Sequence, residues 1–147
     1  MQQDRITITI DTREQQPWGF HDMADVQRGT VTAGDYALAG DEAGFAIERK
    51  SLDDFISTVV CDTDRFQREL DRMDDMFFPA KVVIVEADWM DVINHEYASP
   101  EIEAPLILRR VAELTLDGVS ILWCSNPAAA AGLCWRILLE RHKRNQP

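Results

Sequence analysis

Residues 34–54 read GDYALAGDEAGFAIERKSLDD. Two extended runs flank the turn-forming segment Gly40-Asp41-Glu42-Ala43-Gly44, which predicts an antiparallel hairpin with strands over 31–38 and 45–50. Residues two apart in a strand share a face, so Glu48 and Lys50 point one way while Ile47 and Arg49 point the other. An acid and a base at the end of an otherwise apolar strand are costly unless they are paired or used. If the turn centres on residues 41–43, Asp35 comes to lie beside residues 48–50. The alternating run Ile6, Ile8, Ile10 predicts a first strand, whose end places Asp11 within reach of the same point. An ion pair at a strand end explains Glu48 and Lys50 taken alone.

Carboxylates gathered at one point repel, and a hard divalent cation resolves the repulsion. Mg²⁺ prefers one or two carboxylates, with water and substrate phosphate oxygens completing its shell. Such an ion polarises phosphate, lowers the pKa of an attacking water and stabilises a leaving oxygen. A lysine beside it orients or deprotonates that water, or holds developing negative charge. The set suits phosphodiester hydrolysis.

Working outward, Ser51 is placed as a helix N-cap, with Asp54 three residues on in the capping-box position. A break at 61–64 leads to a helix over 65–78, with Phe66, Leu70, Met73 and Phe77 on its buried face and Pro79 at its end. Val82 to Glu86 is a continuous apolar run of the kind covered on both faces. Residues 88–104 leave room for one short helical turn. A helix follows from Pro105 to about Leu116, then a strand from Val119 to Cys124, then a last helix capped by Ser125. The order predicts one α/β domain over 1–147, with an antiparallel hairpin in a mixed central sheet and flanking helices. GxGxxG and P-loop signatures are missing, so nucleotide-fold readings have no support.

The chain has 147 residues, 46% apolar and 28% charged, with a net charge of −11. This is an ordinary globular composition for a single domain. No run approaches a membrane span, and the start lacks the layout of a signal peptide, so the expected location is cytoplasmic, or nuclear in a eukaryote. The charge argues against coating nucleic acid by electrostatics alone, but not against gripping it at one local site. Cys61, Cys124 and Cys134 have no zinc-site spacing and read as reduced, buried filler.

Asp11-Thr12-Arg13-Glu14, Gly34-Asp35-Tyr36 and Glu48-Arg49-Lys50 with Asp54 follow the pattern DxRE…GD…ERKxxxD. That pattern resembles the nuclease domain of XPF-type structure-specific endonucleases. Arg65-Phe66 and the final strand–helix pair are similar to the family layout. The likeness extends over about residues 6–140, and ERKxxxD in register with two upstream motifs is highly specific. The resemblance implies a restriction-endonuclease-like fold with a PD-(D/E)xK site. It implies Mg²⁺ or Mn²⁺ held by Asp35, Glu48 and the carbonyl of Arg49, with Asp11 contributing and Lys50 as catalytic lysine. Arg13, Arg49 and Arg65 would face DNA, with Glu14 and Asp54 in support. It further implies cleavage of branched DNA such as flaps, forks or junctions, often by dimers. The helix-hairpin-helix and helicase modules of many members have no counterpart here, which leaves delivery by a partner open. The alternative is a non-catalytic nuclease-like subunit or an acidic regulator that binds protein.

Simpler roles stand beside these. Capping accounts for Asp54, and Glu14 reads equally as a surface carboxylate. Arg68 and Arg72 sit among Glu69, Asp71 and Asp75, which makes a salt-bridged solvated face their default. The basic run 141–144 suits a helix C-terminus. On the last helix Trp135 and Leu139 form a second apolar stripe, and Leu106, Ile107 and Leu108 widen the helix before it, which predicts a homodimer through these helices.

Overall fold

The fold is given by a computed structural model that describes residues 5–61, 64, 67, 68, 71, 72 and 81–147. Its spine is a six-stranded sheet formed by β1 (Thr7–Asp11), β2 (Asp25–Gly29), β3 (Tyr36–Leu38), β4 (Ile47–Ser51), β5 (Lys81–Glu86) and β6 (Val119–Trp123). The order across the sheet is β2-β1-β3-β4-β5-β6. β3 pairs antiparallel with both β1 and β4, while β2 runs parallel to β1 and β4, β5 and β6 run parallel to one another. The predicted mixed sheet with one antiparallel hairpin is therefore the observed one.

Strand alternation divides the core in two. Ala37, Ala46, Val83 and Val85 face one side, under α1 (Leu52–Ile56), α2 (Trp89–Ile93) and α3 (Ala104–Leu116). Ile8, Ile10, Tyr36, Ile47, Val82 and Ile84 face the other, under α4 (Pro127–Asn145). β5 is apolar on both faces because helices cover both.

Several local expectations needed correction. β2 is a strand for which the sequence reading has no counterpart; it is an exposed edge strand with no apolar alternation to announce it. The helix opened by Ser51 is short: after Ile56 the chain continues as a π-turn, Ser57–Cys61. Ser51 does accept a hydrogen bond from the Asp54 amide. The cap of α4 is Asn126, whose side chain takes the Ala129 amide at 2.8 Å, rather than Ser125. α2 fills the ambiguous region and carries a reciprocal capping box between Asp88 and Asp91. Cys124 and Cys134 are buried, and burial pushes the Cys134 thiol well up, but Cys61 is exposed. The residues expected to bury the 65–78 helix lie outside the described ones; residues 64, 67, 68, 71 and 72 are helical.

The expected dimer stripe largely dissolves. Leu139 and Ile107 are fully buried in the chain's own core, and Trp135 is half-buried. What remains exposed on α3 is Leu106 and, near its end, Leu116.

Candidate active site

The hairpin places the site through backbone geometry. Gly34 has φ +122°, a conformation that L side chains rarely adopt, and a Cβ there would come within 2.8 Å of the Ala46 side chain. The glycine lets residue 35 close against β4: the Asp35 amide donates to the Ile47 carbonyl and the Asp35 carbonyl accepts from the Asp11 amide, both at 2.9 Å. Asp35 Oδ2 then accepts the Arg49 amide at 2.8 Å.

Asp35, Glu48 and Lys50 line one cleft of about 180 Å³, joined by Arg13 and Arg72. Lys50 Nζ lies 3.6 Å from Glu48 Oε1. Burial pushes the Asp35 carboxyl up to about 6, against the Arg49 amide, which favours its ionised form; the nearby Glu14 charge raises it further.

Asp11 is placed differently from the expectation of three carboxylates round one point. It is 1% exposed, and its two oxygens are engaged: Oδ1 accepts from the Val31 amide at 3.0 Å, and Oδ2 from the Arg13 amide at 3.1 Å and Arg13 Nε at 2.7 Å. Burial alone would raise this carboxyl, but the Arg13 side chain and the two amides hold it below its ordinary value. Asp11 thus anchors Arg13, whose side chain stays 69% exposed at the cleft. Among the described residues, no group of three or more His, Cys, Asp or Glu side chains is gathered closely enough to hold a metal ion.

Arg49 faces the other side of the sheet. Its Nε donates to Glu86, its Nη1 to the Gln16 carbonyl, and its guanidinium lies 5.0 Å from the centre of the Trp18 ring. Glu86 also accepts the Trp18 indole N–H. Trp18 stacks on Tyr36 with centroids 4.6 Å apart, and its amide donates to the Tyr36 hydroxyl. The Arg49 side chain is therefore built into the protein rather than offered to DNA. Glu14 lies 3.9 Å from the same guanidinium. Glu14, Arg49 and Asp54 line an adjoining groove that shares Asp35 and Glu48 with the cleft. Arg65 lies outside the described residues.

Sequence reasoning missed three parts of this arrangement. Arg72 had been assigned to a solvated face. Glu86 is read from sequence only as a strand end and Trp18 is not singled out, although a carboxylate ending an apolar strand is a signal of the same kind as Glu48.

A mixed sheet that sets two acids and a lysine at the adjoining ends of a hairpin is the arrangement that the resemblance to XPF-type nuclease domains implies. The family model described as "ERCC4 domain" matches residues 10–134, and the chain belongs to that family. Among solved structures it is similar to XPF from Aeropyrum pernix, with 18% identity and a TM-score of 0.69 over 94% of this chain and 66% of that one. It is also similar to XPF from Aeropyrum pernix in complex with DNA, with 19% identity and a TM-score of 0.68 over 97% of this chain and 67% of that one. The chain thus spans about two thirds of the length of these solved chains. No curated protein matches it.

Proposed function

We propose that this chain is a metal-dependent endonuclease that hydrolyses phosphodiester bonds in branched or otherwise structured DNA. The observation that carries the reading is the convergence of Asp35, Glu48 and Lys50 on one cleft within an ERCC4 domain. A relative of the same fold is described in complex with DNA.

The donor set fits a hard divalent cation. Asp35 and Glu48 are adjacent oxygen donors, and the cost of ionising Asp35 in its partly buried place is relieved by a cation. Asp35 and Glu48 would hold Mg²⁺ or Mn²⁺, with the Arg49 carbonyl completing the protein donors. The ion would supply Lewis-acid polarisation of the phosphate and a water of lowered pKa. Lys50, tethered to Glu48, orients the attacking water or meets the charge that develops on the phosphate. Asp11 supports the site by fixing Arg13 rather than by offering a free carboxylate. Arg13 projects from the cleft wall toward solvent, where it meets the DNA backbone. Glu14 supports from the rim of the adjoining groove. Asp54, its amide received by Ser51, supports from the first turn of α1.

The measurement that tests the reading is cleavage of labelled fork, flap and single-stranded DNA with Mg²⁺ or Mn²⁺. Asp35→Asn and Lys50→Ala should each lower cleavage by about a hundredfold or more while far-ultraviolet circular dichroism keeps its native shape. Undiminished cleavage by both variants removes the site assignment. Work as a homodimer, or by recruitment through a partner, belongs to the same proposal; Leu106 and Leu116 are the exposed apolar side chains that α3 and its end offer to a second copy. A monomeric mass by light scattering at micromolar concentration counts against the dimer. DNA repair or recombination in the compartment holding the genome is the setting such an activity suits.

A further inference from the structure

Asp35 and Glu48 stand between two depressions of opposite character. On one side, Arg13, Lys50 and Arg72 face these two carboxylates. On the other, Glu14, Asp54 and Glu86 join the same pair, and the Arg49 cation there is bonded to Glu86. A DNA strand carries one negative charge per phosphate, and a chain of net charge −11 attracts it only where cations are concentrated. The first depression meets a phosphate with three cations; the second meets it with added carboxylates.

Arg72 is the member of the basic side that the sequence motifs do not include. It is exposed and enters the cleft from a separate helical segment, following the π-turn in the chain. Arg68, four residues earlier and also exposed, is not among the residues lining the cleft. Two arginines one helical turn apart therefore differ in whether they reach the site. An exposed guanidinium beside a catalytic cleft presents several donors to phosphate oxygens.

We infer that Arg72 holds a backbone phosphate next to the scissile one, so that the substrate strand passes the site on the side of Arg13 and Arg72 and is kept from the side of Glu14 and Asp54. The inference rests on the nuclease reading above. A phosphate contact positions the strand without reading its sequence, so it acts on binding more than on chemistry.

The test uses the intact chain with Mg²⁺ and a fork-shaped DNA, comparing wild type, Arg72→Ala, Arg72→Lys and Arg68→Ala. Arg72→Ala should raise KM roughly tenfold with kcat nearly unchanged. In the cleavage-silent Asp35→Asn background, binding by fluorescence anisotropy should show a slope of log affinity against log salt that is smaller by about one. Arg72→Lys should recover that slope, and Arg68→Ala should match wild type in both measurements. Unchanged KM and slope in Arg72→Ala overturn the contact. So does an equal effect of Arg68→Ala, which would mark a general loss of charge, and so does a fall in kcat at constant KM. If wild type cleaves none of the DNAs, the nuclease reading itself fails and the contact fails with it.

Discussion

The two faces of β4 make the instructive comparison. Glu48 and Lys50 open onto a polar cleft, while Arg49 between them is tied into Glu86, Gln16 and the Trp18–Tyr36 stack. The three residues are contiguous, yet alternation sends them to opposite sides of the sheet. On the first face charges line a cleft of about 180 Å³, where Asp35 is held up to about 6 by burial. On the second, the charged pair is about as buried as Lys50 and Glu48, 19% and 15% exposed against 15% and 12%, but Arg49 donates to Glu86 and the Gln16 carbonyl and Glu86 also accepts the Trp18 indole. One face gathers its charges around a cleft; the other uses charge to lock a loop to the sheet.

The sharpest break of this comparison comes from Lys50→Ala. If the first face serves chemistry, this variant should lose about 10²–10⁴-fold in cleavage rate while its melting temperature stays close to wild type. Glu86→Gln should show the reverse. It leaves the partly buried Arg49 guanidinium with only the more distant Glu14 carboxylate, 3.9 Å away, at a cost of about 2–3 kcal/mol in urea denaturation. Its residual activity should track the folded fraction. A Glu86→Gln protein of full stability, or a Lys50→Ala protein of normal activity, would erase the distinction between the faces.

The contrast also explains what was legible beforehand. The hairpin was readable because Gly40 to Gly44 offers turn chemistry between two extended runs, and β5 because a wholly apolar run needs cover on both sides. The pairing of Asp35 with Glu48 followed from hairpin register. Asp11 was harder: its cradle depends on the Val31 amide, twenty residues away, and no periodicity reports such a contact. The second face joins Trp18, Tyr36, Arg49 and Glu86 from four separate segments, so it exists only after the sheet forms. β2 escaped notice because an edge strand has little apolar surface to bury. Arg72 was hidden by its neighbours: its spacing fits a salt-bridged face as well as a phosphate contact, and only the approach of its helix to the cleft separates the two.

A smaller effect probes the first face without catalysis. The folded pKa of Asp35 is raised above its unfolded value of 3.8, so the folded state favours its proton. The associated stability is present below pH 4 and is lost as pH rises through about 6. Metal-free Asp35→Asn should therefore be more stable than wild type at pH 7.5, by about 1–2 kcal/mol, and nearly equal to it at pH 4. Adding Mg²⁺ should narrow the gap at pH 7.5 by stabilising wild type alone. A gap independent of pH and Mg²⁺ would mean that Asp35 is not under electrostatic stress.

The smallest effect lies where the two faces end. Ser51 closes β4 and caps α1, its hydroxyl accepting the Asp54 amide at 3.2 Å. That bond satisfies one of the amides that a helix start leaves without an intrahelical partner. α1 is short and gives way at once to the π-turn, so its stability comes mainly from burying Leu52, Phe55 and Ile56. Ser51→Ala should cost only about 0.5–1 kcal/mol in chemical denaturation. Because Ser51 is exposed and directly follows Lys50, the strand register that aims Lys50 should survive its removal. Cleavage should then stay within about threefold of wild type, a barrier change of no more than about 0.7 kcal/mol. A much larger loss of activity at this small cost in stability would show that the cap sets the aim of Lys50, and that the junction belongs to the first face rather than to the scaffold beneath it.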